Sequence, residues 1–270
     1  MKKVKDLYYF FRDTFKMRSL IFNLAKNDFK SRYAGSYFGL IWAFVQPLVM
    51  ILIYWFVFQK GLRAQSPIVK VPFILWFLPG IVPWFYFSDG LNSATVCLLE
   101  YGFLVKKVVF KVSILPIVKL MSSFFVHLFF VALIFIIFYI YGFKPSIYNI
   151  QFLYYTFCMI ILLLGLTWMT SAIIPFFKDL GQIIMIVLQV GMWATPIVWP
   201  ASMLSPRLNW FFKLNPMYYI VEGYRDSFLN KVWFFHRYNQ TLYFWIITMV
   251  ILILGATVFR RLRPHFSDVL

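Results

Sequence analysis

The sequence predicts an all-helical integral membrane protein, and its composition and long apolar runs lead to that class. Apolar residues make up 62% of the 270 residues and charged residues only 13%, whereas a soluble domain has about 45–50% and about 25%. A soluble fold cannot bury so much apolar surface, so a water-soluble enzyme and a disordered chain are both excluded. The apolar residues come in runs rather than in alternation, which argues against an outer-membrane barrel.

Six runs are predicted to be membrane-spanning helices, which need about 20 mostly apolar residues each. Helices are expected because every backbone amide in the membrane has to be bonded within its own segment. We expect residues 1–270 to form a single transmembrane domain, with a cytoplasmic N-terminus over residues 1–37. The predicted spans are residues 38–58, 71–87, 115–141, 151–174, 180–198 and 242–259.

The positive charges predict that both termini lie in the cytoplasm. An even number of spans places both termini on one side, and cytoplasmic loops are enriched in Lys and Arg. Sixteen of the 26 Lys and Arg fall on the side of the termini, nine of them within residues 1–37, and nine fall on the other side. We attribute much of the net charge of +17 to topology and to anionic lipids rather than to nucleic acid. The first 16 residues lack a continuous apolar core, so no cleaved signal peptide is expected.

Residues 18–33 are predicted to form a basic amphipathic helix at the cytoplasmic interface. At helical spacing, one face is apolar and the other is polar. The apolar face holds Ile21, Leu24, Ala25, Phe29 and Tyr33. The polar face holds Asn23, Lys26, Asn27 and Lys30. Such a helix either anchors the chain to the membrane surface or docks a cytoplasmic partner, and the pattern leaves both open.

The loop over residues 89–116 is expected to bury surface against another molecule. It is longer and more apolar than a plain connector. Its charged residues stand among bulky apolar ones such as Phe103 and Phe110. These charged residues include Glu100, Lys106, Lys107 and Lys111.

The outer segment over residues 200–240 is predicted to contain two short helices that dip back into the membrane. It is rich in aromatics and proline but has no uninterrupted apolar run, and such backbone is tolerated at membrane depth only against protein or a cavity. The helices are expected over residues 206–214 and 216–229. For the second, Asn215 is the predicted cap, Pro216 the first helical residue, and Glu222 and Arg225 an ion pair on one face.

The chemistry-bearing residues predict no catalytic or metal site. There is no Gly-x-x-x-x-Gly-Lys-Ser/Thr motif to bind nucleotide phosphates, and His127, His236 and His265 lack ligand-spaced partners. We expect His127 to be a packed neutral side chain rather than a proton relay, and Cys97 and Cys158 to be packing residues. Acids are nearly absent from the spans, so energy is expected to come from a partner subunit rather than an ion gradient.

Some of the many aromatic residues are candidates for a sugar path. Most Trp and Tyr at span ends are expected to anchor the membrane interface, but aromatic faces also stack on sugar rings. The candidates for the path are Trp42, Phe44, Trp84, Phe85 and Trp193. Asp179, directly before the fifth span, is either a helix cap or also a contact for a moving cytoplasmic partner.

Motifs along nearly the whole chain resemble the transmembrane subunit of type 2 ATP-binding-cassette exporters of lipid-linked polysaccharide. Each motif is weak alone, but their order and spacing match that family. They are Phe29-Lys-Ser-Arg-Tyr33, Pro83-Trp-Phe-Tyr-Phe87, residues 103–116, Phe177-Lys-Asp179 with Thr195-Pro-Ile197, and Asn215-Pro-Met-Tyr with Glu222 and Arg225. Within the group, the wall teichoic acid permeases look most similar, and O-antigen and capsule permeases are the alternative. The segments that favour the first are Tyr54-Trp55, Gly61-Leu-Arg63, Val71-Pro-Phe73 and Phe266-Ser-Asp268.

The resemblance implies a transport subunit in the bacterial plasma membrane that has no cofactor or catalytic site of its own. It implies a homodimer with two ATPase subunits that carry ATP and Mg, and a polymer cargo on undecaprenyl diphosphate. It also implies an interface helix over residues 18–33, a coupling helix after the second span and outer gate helices. The residues expected to couple to the ATPase are Phe29, Arg32, Tyr33, Phe103, Lys106, Lys107 and Asp179. The residues expected to hold the outer gate are Asn215, Pro216, Glu222 and Arg225.

Two rival functions remain open at this point. A membrane-bound glycan or lipid transferase needs a polar catalytic cluster, which we cannot assemble from the sequence. A stand-alone channel or carrier needs no ATPase partner, so co-purification with an ATPase discriminates against it.

Overall fold

The computed structural model describes residues 17–63, 66–68, 71–105 and 111–270, and all regular secondary structure in these ranges is helical. The α-helices are Arg18–Ser31 (α1), Trp42–Trp55 (α2), Phe73–Thr95 (α3), Cys97–Glu100 (α4), Gly102–Val105 (α5), Leu115–Ile140 (α6), Gln151–Ile173 (α7), Leu180–Ala194 (α8), Pro206–Phe212 (α9), Pro216–Arg225 (α10), Tyr238–Leu262 (α11) and Phe266–Val269 (α12). Short 3₁₀ segments are Gly39–Ile41, Val112–Ile114, Ile147–Ile150, Ala201–Met203, Phe234–Arg237 and Arg263–His265, and π-helical turns are Phe56–Gly61 and Asp226–Asn230.

Five continuous helical stretches in these ranges are long and apolar enough to cross a membrane. They are Gly39–Gly61, Phe73–Thr95, Val112–Ile140, Ile147–Ile173 and Phe234–His265. Each overlaps one of the predicted spans. The second stretch runs to Thr95 rather than ending at residue 87, because its polar last turns find partners inside the protein.

The fifth predicted span, over residues 180–198, is a shorter helix than expected. The apolar helix α8 has 15 residues, which gives a length of about 22 Å against an apolar membrane thickness of about 30 Å. The helix ends because Pro196 follows Thr195, and a residue before proline is disfavoured in the helical conformation. Thr195 accordingly has extended backbone, with φ −106° and ψ 137°. By length alone, α8 does not cross a membrane.

Helix α3 lies at the centre of the bundle. Most of its residues are buried, including Pro79 and Pro83, and it packs against α6, α7, α8 and α10. A proline within a helix leaves a carbonyl without its usual donor. This is tolerated in α3 because the helix is enclosed by protein rather than by lipid.

Helices α7 and α11 approach each other closely at two glycines. A Cβ atom built on Gly165 would lie 2.7 Å from the Leu252 backbone nitrogen, and a Cβ on Gly255 would collide with the Gly165 carbonyl oxygen. Small residues of this kind let two membrane helices pack backbone to backbone. The pairing fixes the C-terminal span to the rest of the bundle.

The two ends of the described chain pack at one end of the bundle. Ile21 and Ala25 of α1 pack on Ile114 and Val118 at the start of α6. Phe266 of α12 belongs to the neighbouring cluster, which contains Val112, Leu115 and Trp168. We call this the α1 end, and we call the opposite end, where α9 and α10 lie, the α10 end.

Candidate functional site

Helix α1 buries the apolar face that its sequence predicts. Ile21 and Ala25 are buried and Leu24 is half-buried, while the predicted polar face is exposed or half-buried. Helix α1 also buries a charged residue: Asp28 is only 3% exposed. A buried carboxylate is costly unless it is paired, so its partners define the site.

Asp28 lies at the centre of an ionic cluster that joins α1 to three other elements. Its carboxylate accepts hydrogen bonds from Lys119 Nζ at 2.5 Å, Tyr101 Oη at 2.7 Å and Arg32 Nε at 3.1 Å. Lys119 is itself buried and also pairs with Glu100 at 2.6 Å. These residues come from α1, from the turn beside α4, and from the first turns of α6. We call this set, together with Asp89, the inner cluster.

The inner cluster keeps Asp28 ionised. Burial raises the pKa of this carboxyl, but the hydrogen bond from Lys119 and the positive charge of Arg32 outweigh burial and hold the pKa below its usual value. The shift follows from placing opposite charges within hydrogen-bond distance. A charged Asp28 therefore fastens α1 to the bundle at neutral pH.

Arg32 extends the cluster to the end of α3. Its Nη1 lies 3.2 Å from the nearer Asp89 carboxylate oxygen, and the Ser123 hydroxyl donates a hydrogen bond to the same carboxylate. Arg32 was a predicted contact for the ATPase, yet its guanidinium binds two carboxylates of its own chain. Its direct structural role is to hold α1 against α3 and α6.

Two other predicted coupling residues on this helix also pack within the chain. Phe29 is half-buried and has ring contacts with Tyr33, Phe44 and Phe125, at centroid distances from 5.8 to 6.5 Å. Tyr33 is half-buried as well. They position α1 against α2 and α6.

The remaining predicted coupling residues differ in exposure. Phe103 on α5 is 62% exposed, and Asp179 is exposed at the N-cap position of α8. Asp179 makes no side-chain capping hydrogen bond, so the predicted capping contact to exposed amides is absent at this residue. Lys106 and Lys107 lie outside the described residues. Helix α5 and the start of α8 both lie at the α1 end, where Gly181 packs near Val96.

Arg225 anchors the short helix α10 to the opposite half of the bundle. It is 2% exposed, and its guanidinium carbon lies 3.8 Å from the centre of the Trp76 ring. It donates to the backbone carbonyls of Pro196 at 2.6 Å, Ile197 at 2.9 Å and Trp76 at 3.3 Å, and to Glu222 at 2.6 Å. Gly80 leaves room for the guanidinium, because a Cβ there would lie 2.9 Å from Nη2. We call this arrangement the outer latch.

The outer latch explains how irregular backbone is tolerated after α8. The carbonyls of Pro196 and Ile197 follow the end of a helix and have no helical donors. Arg225 supplies these donors, which a membrane would not. The predicted Glu222–Arg225 pair is confirmed, and the three backbone acceptors are contacts that its spacing did not reveal.

The start of α10 follows the sequence prediction. Asn215 caps the helix by accepting from the Met217 amide at 3.0 Å, and Pro216 is its first residue. The Asn215 amide also donates to the Thr195 hydroxyl at 2.9 Å, which adds a second tie to the end of α8. The helix ends at Arg225 and continues as a π-helical turn, where a buried Asp226 pairs with Arg237 at 2.5 Å.

The five predicted path aromatics do not come together within one chain. Trp84 is buried and would touch a side chain at Gly191, whereas Trp42 and Trp193 are 44% and 53% exposed. Phe44 packs against Phe29 and Phe129, and Phe85 against Phe130. In the part of the chain that the structure describes, no ring contact joins any two of the five.

Sequence reasoning missed most of the inner cluster. Asp28 stands three residues after Ala25 and seven after Ile21, so it occupies the apolar face of α1. A charged residue on an apolar face was the available signal for a buried ion pair. Its partners Tyr101 and Lys119 are 73 and 91 residues away in sequence, and no local pattern connects them.

Comparison with known proteins matches residues 19–229 to the family described as ABC-2 type transporter. An O-antigen export system permease protein RfbA from Klebsiella pneumoniae is 26% identical over 254 residues, which cover 93% of this chain and 95% of that protein. A protein of the same name from Myxococcus xanthus is 24% identical over 262 residues, covering 95% and 97%. The similarity thus runs nearly end to end in both cases.

Proposed function

The chain belongs to the ABC-2 type transporter family, and we propose that it is the permease of an exporter that moves lipid-linked polysaccharide of the O-antigen type across the bacterial inner membrane. Membership makes it a multi-pass transport subunit, and permeases of this family pair with ATP-binding-cassette subunits in exporters. The observation that carries the proposal is the similarity to O-antigen permeases over at least 93% of the chain.

The relatives favour O-antigen over wall teichoic acid as the class of cargo. The sequence motifs had placed teichoic acid first and O-antigen as the alternative. Both relatives described above are named as O-antigen permeases, and this supports the alternative. The membrane-bound transferase is not favoured, because the family is one of transport subunits.

We propose six crossings with both termini in the cytoplasm, and the fifth of them is completed by α8 and the backbone after it. Helix α8 starts near Val96 at the α1 end, and its residue Gly191 lies against Trp84 in the middle of α3. Ile197 then lies beside Gly80 and Arg225, further toward the α10 end. The chain therefore travels most of the bundle length even though the helix itself is short, and an even count agrees with both described ends packing at the α1 end.

We propose that the ATPase subunit docks at the α1 end and that the inner cluster transmits its movement. ATP and Mg would be carried by that partner. Exposed Phe103 and Asp179 are available as contacts there, while buried Asp28 and Lys119 tie α1 to α6. A rigid ionic tie lets a displacement of α1 move the spans instead of bending a loop.

A homodimer is proposed from the exposed apolar faces of two helices. Leu52 on α2 is 58% exposed, and Phe56 in the π-helical turn that follows is 62% exposed; on α8, Ile186 and Val190 are 61% and 62% exposed. Either lipid or a second copy covers such faces in a membrane. A second copy would enclose a polymer path between chains, which accounts for exposed Trp42 and Trp193 as path residues.

The test is reconstitution of the permease with its ATPase subunit in vesicles. ATP hydrolysis is measured with undecaprenyl-diphosphate-linked O-antigen, with a lipid-linked polyol-phosphate polymer and with the carrier lipid alone. We expect the O-antigen to stimulate hydrolysis and to be protected inside inverted vesicles. Stimulation by the polyol-phosphate polymer alone restores the teichoic acid assignment, and transport without any ATPase subunit contradicts the proposal.

A further inference from the structure

A cavity of about 360 Å³ lies within the single chain, between α2, α3, α6 and α8. It lies in the half of the bundle toward the α1 end, because its α3 wall runs from Val82 to Asn92 near the end of that helix. Its size is at the small end of ligand pockets, which span about 300–1,000 Å³. The exposed residues Leu52, Phe56, Ile186 and Val190, proposed above to face a second copy, are not part of its lining.

The lining carries several polar residues, and the cavity opens to the surface of the single chain, because Gln46, Asp89 and Asn92 are exposed whereas Ser123 and His127 are buried. The polar residues are Gln46, Ser88, Asp89, Asn92, Ser123 and His127. Polar side chains among membrane helices are costly unless they bond to something, and they mark functional positions. Asp89 and Ser123 bond to each other, but Gln46 and Asn92 have no side-chain hydrogen bond in the described structure.

His127 provides a buried and unsatisfied group on the same wall. It is 3% exposed, and its Nε2 lies 3.0 Å from the Tyr224 hydroxyl. Among the described residues, no group forms a hydrogen bond of good geometry with its buried Nδ1, and the Val82 carbonyl is the backbone acceptor that influences the ring. A buried polar atom without a partner is rare in folded proteins and indicates a missing ligand or water.

Aromatic rings complete the cavity. Phe85, Tyr86 and Phe130 line it together with the polar groups. Tyr86 stacks on the His127 ring at 4.9 Å, and Phe85 meets Phe130 edge to face at 6.2 Å. The wall therefore offers flat apolar surfaces beside amide, carboxylate, hydroxyl and imidazole groups.

We propose that this cavity binds one sugar ring of the exported polymer, an inference that rests on the proposed function. Amide and carboxylate groups pair with neighbouring sugar hydroxyls, and aromatic faces cover the apolar face of the ring. A phosphate is disfavoured because Asp89 is the charged residue among the described residues that line the cavity, and its carboxylate is negative. An acyl chain is disfavoured because it would leave the buried His127 nitrogen without a hydrogen bond and would place hydrocarbon against the amides of Gln46 and Asn92.

The binding test uses cysteine labelling of the permease in complex with its ATPase subunit. Gln46→Cys places a thiol on the cavity wall, and Leu128→Cys places one on an exposed part of α6 outside the lining. Native Cys97 and Cys158 are buried, which keeps background labelling low. The probes are N-ethylmaleimide with lipid-linked O-antigen, or with undecaprenyl phosphate alone.

We expect the O-antigen to slow labelling of Gln46→Cys by about fivefold or more and to leave labelling of Leu128→Cys unchanged. Equal protection by undecaprenyl phosphate alone identifies a lipid occupant and overturns the inference. If the glycan stimulates ATP hydrolysis but protects neither thiol, the cavity assignment fails and the proposed function stands. If the glycan neither stimulates hydrolysis nor is transported, both are wrong.

A second variant measures the hydrogen bonds directly. Asn92→Leu keeps a similar shape but cannot bond a hydroxyl, so the glycan concentration for half-maximal ATPase stimulation should rise roughly tenfold, as for one or two lost hydrogen bonds. Asn92→Gln retains the amide and should lose less. An unchanged half-maximal concentration for Asn92→Leu contradicts a sugar in this cavity.

Discussion

The inner cluster and the outer latch both bury positive side chains, but they satisfy them in different ways. In the inner cluster, Lys119 faces carboxylates of two other helices, Asp28 and Glu100. Arg32 faces Asp28 of its own helix and Asp89 of α3. In the outer latch, Arg225 faces three backbone carbonyls and one carboxylate, that of Glu222. The α1 end of the bundle is therefore held by contacts between side chains, whereas the α10 end is held mainly by contacts between one side chain and the backbone.

This difference predicts different responses to mutation and to pH. Backbone acceptors cannot be removed by substitution, so the outer latch depends on one residue, Arg225. The inner cluster has several exchangeable members, so a paired change can compensate. It also depends on the ionised state of Asp28. The side-chain pairs of the inner cluster suit a site that moves with a partner. The backbone acceptors of the outer latch suit a site that holds irregular backbone in place.

The largest effect is expected for Arg225→Leu. This change leaves the carbonyls of Pro196 and Ile197 without donors, and it should lower the free energy of unfolding by about 3–5 kcal/mol. Denaturant titration in detergent micelles measures the loss. Arg225→Lys is the matched control, and we expect it to recover only part, because an ammonium cannot bond several acceptors and stack on Trp76 at once.

A smaller effect is expected for Asp28→Asn. Tyr101 can still bond the amide, but Lys119 loses a buried countercharge, which should cost about 2–3 kcal/mol. The double variant Asp28→Leu with Lys119→Met removes both charges and should be more stable than either single change. The single variants Asp28→Leu and Lys119→Met complete a double-mutant cycle. If their losses in stability add up to that of the double variant, the two residues do not interact. If the cluster transmits movement, the double variant should hydrolyse ATP yet export poorly.

Glu222→Gln should cost only about 1 kcal/mol, because Arg225 keeps its three backbone acceptors. Melting of the purified protein in detergent compares this variant with Arg225→Leu. A loss as large as that of Arg225→Leu would mean that the carboxylate, and not the backbone, holds the outer latch.

The smallest effect in the usual working range concerns pH. Because the folded protein holds the pKa of Asp28 below its unfolded value of about 3.9, ionised Asp28 adds stability above that value. The added stability is lost as pH falls through the folded pKa. The stability difference between wild type and Asp28→Asn should therefore stay constant from pH 7 to 5 and shrink below pH 4. A difference that shrinks already at pH 6 contradicts the depressed pKa.

Local patterns were sufficient for the elements and for short-range contacts. The apolar runs located five spans, and the Asn215-Pro216 pair located the start of α10. The three-residue spacing of Glu222 and Arg225 predicted their ion pair. These succeed because helical periodicity and capping depend only on neighbours in the chain.

Local patterns did not predict the contacts between segments that are distant in sequence. Arg32 was predicted to face a partner, yet its guanidinium is engaged with Asp28 and Asp89. The length of α8 was overestimated, although the Pro196 that ends it is visible in the sequence. The path aromatics were selected by residue type, and type does not tell which face of a helix meets its neighbours.

By itself, the sequence determined that this chain is a helical membrane protein, and it determined approximately where the helices begin. Both results follow from composition and from the spacing of residues along the chain. Only the tertiary structure decided which charges are buried together, which carbonyls Arg225 satisfies and which polar groups enclose the cavity beside His127. Those outcomes depend on the approach of residues tens of positions apart, and the approach is set by packing of the whole bundle rather than by any local preference.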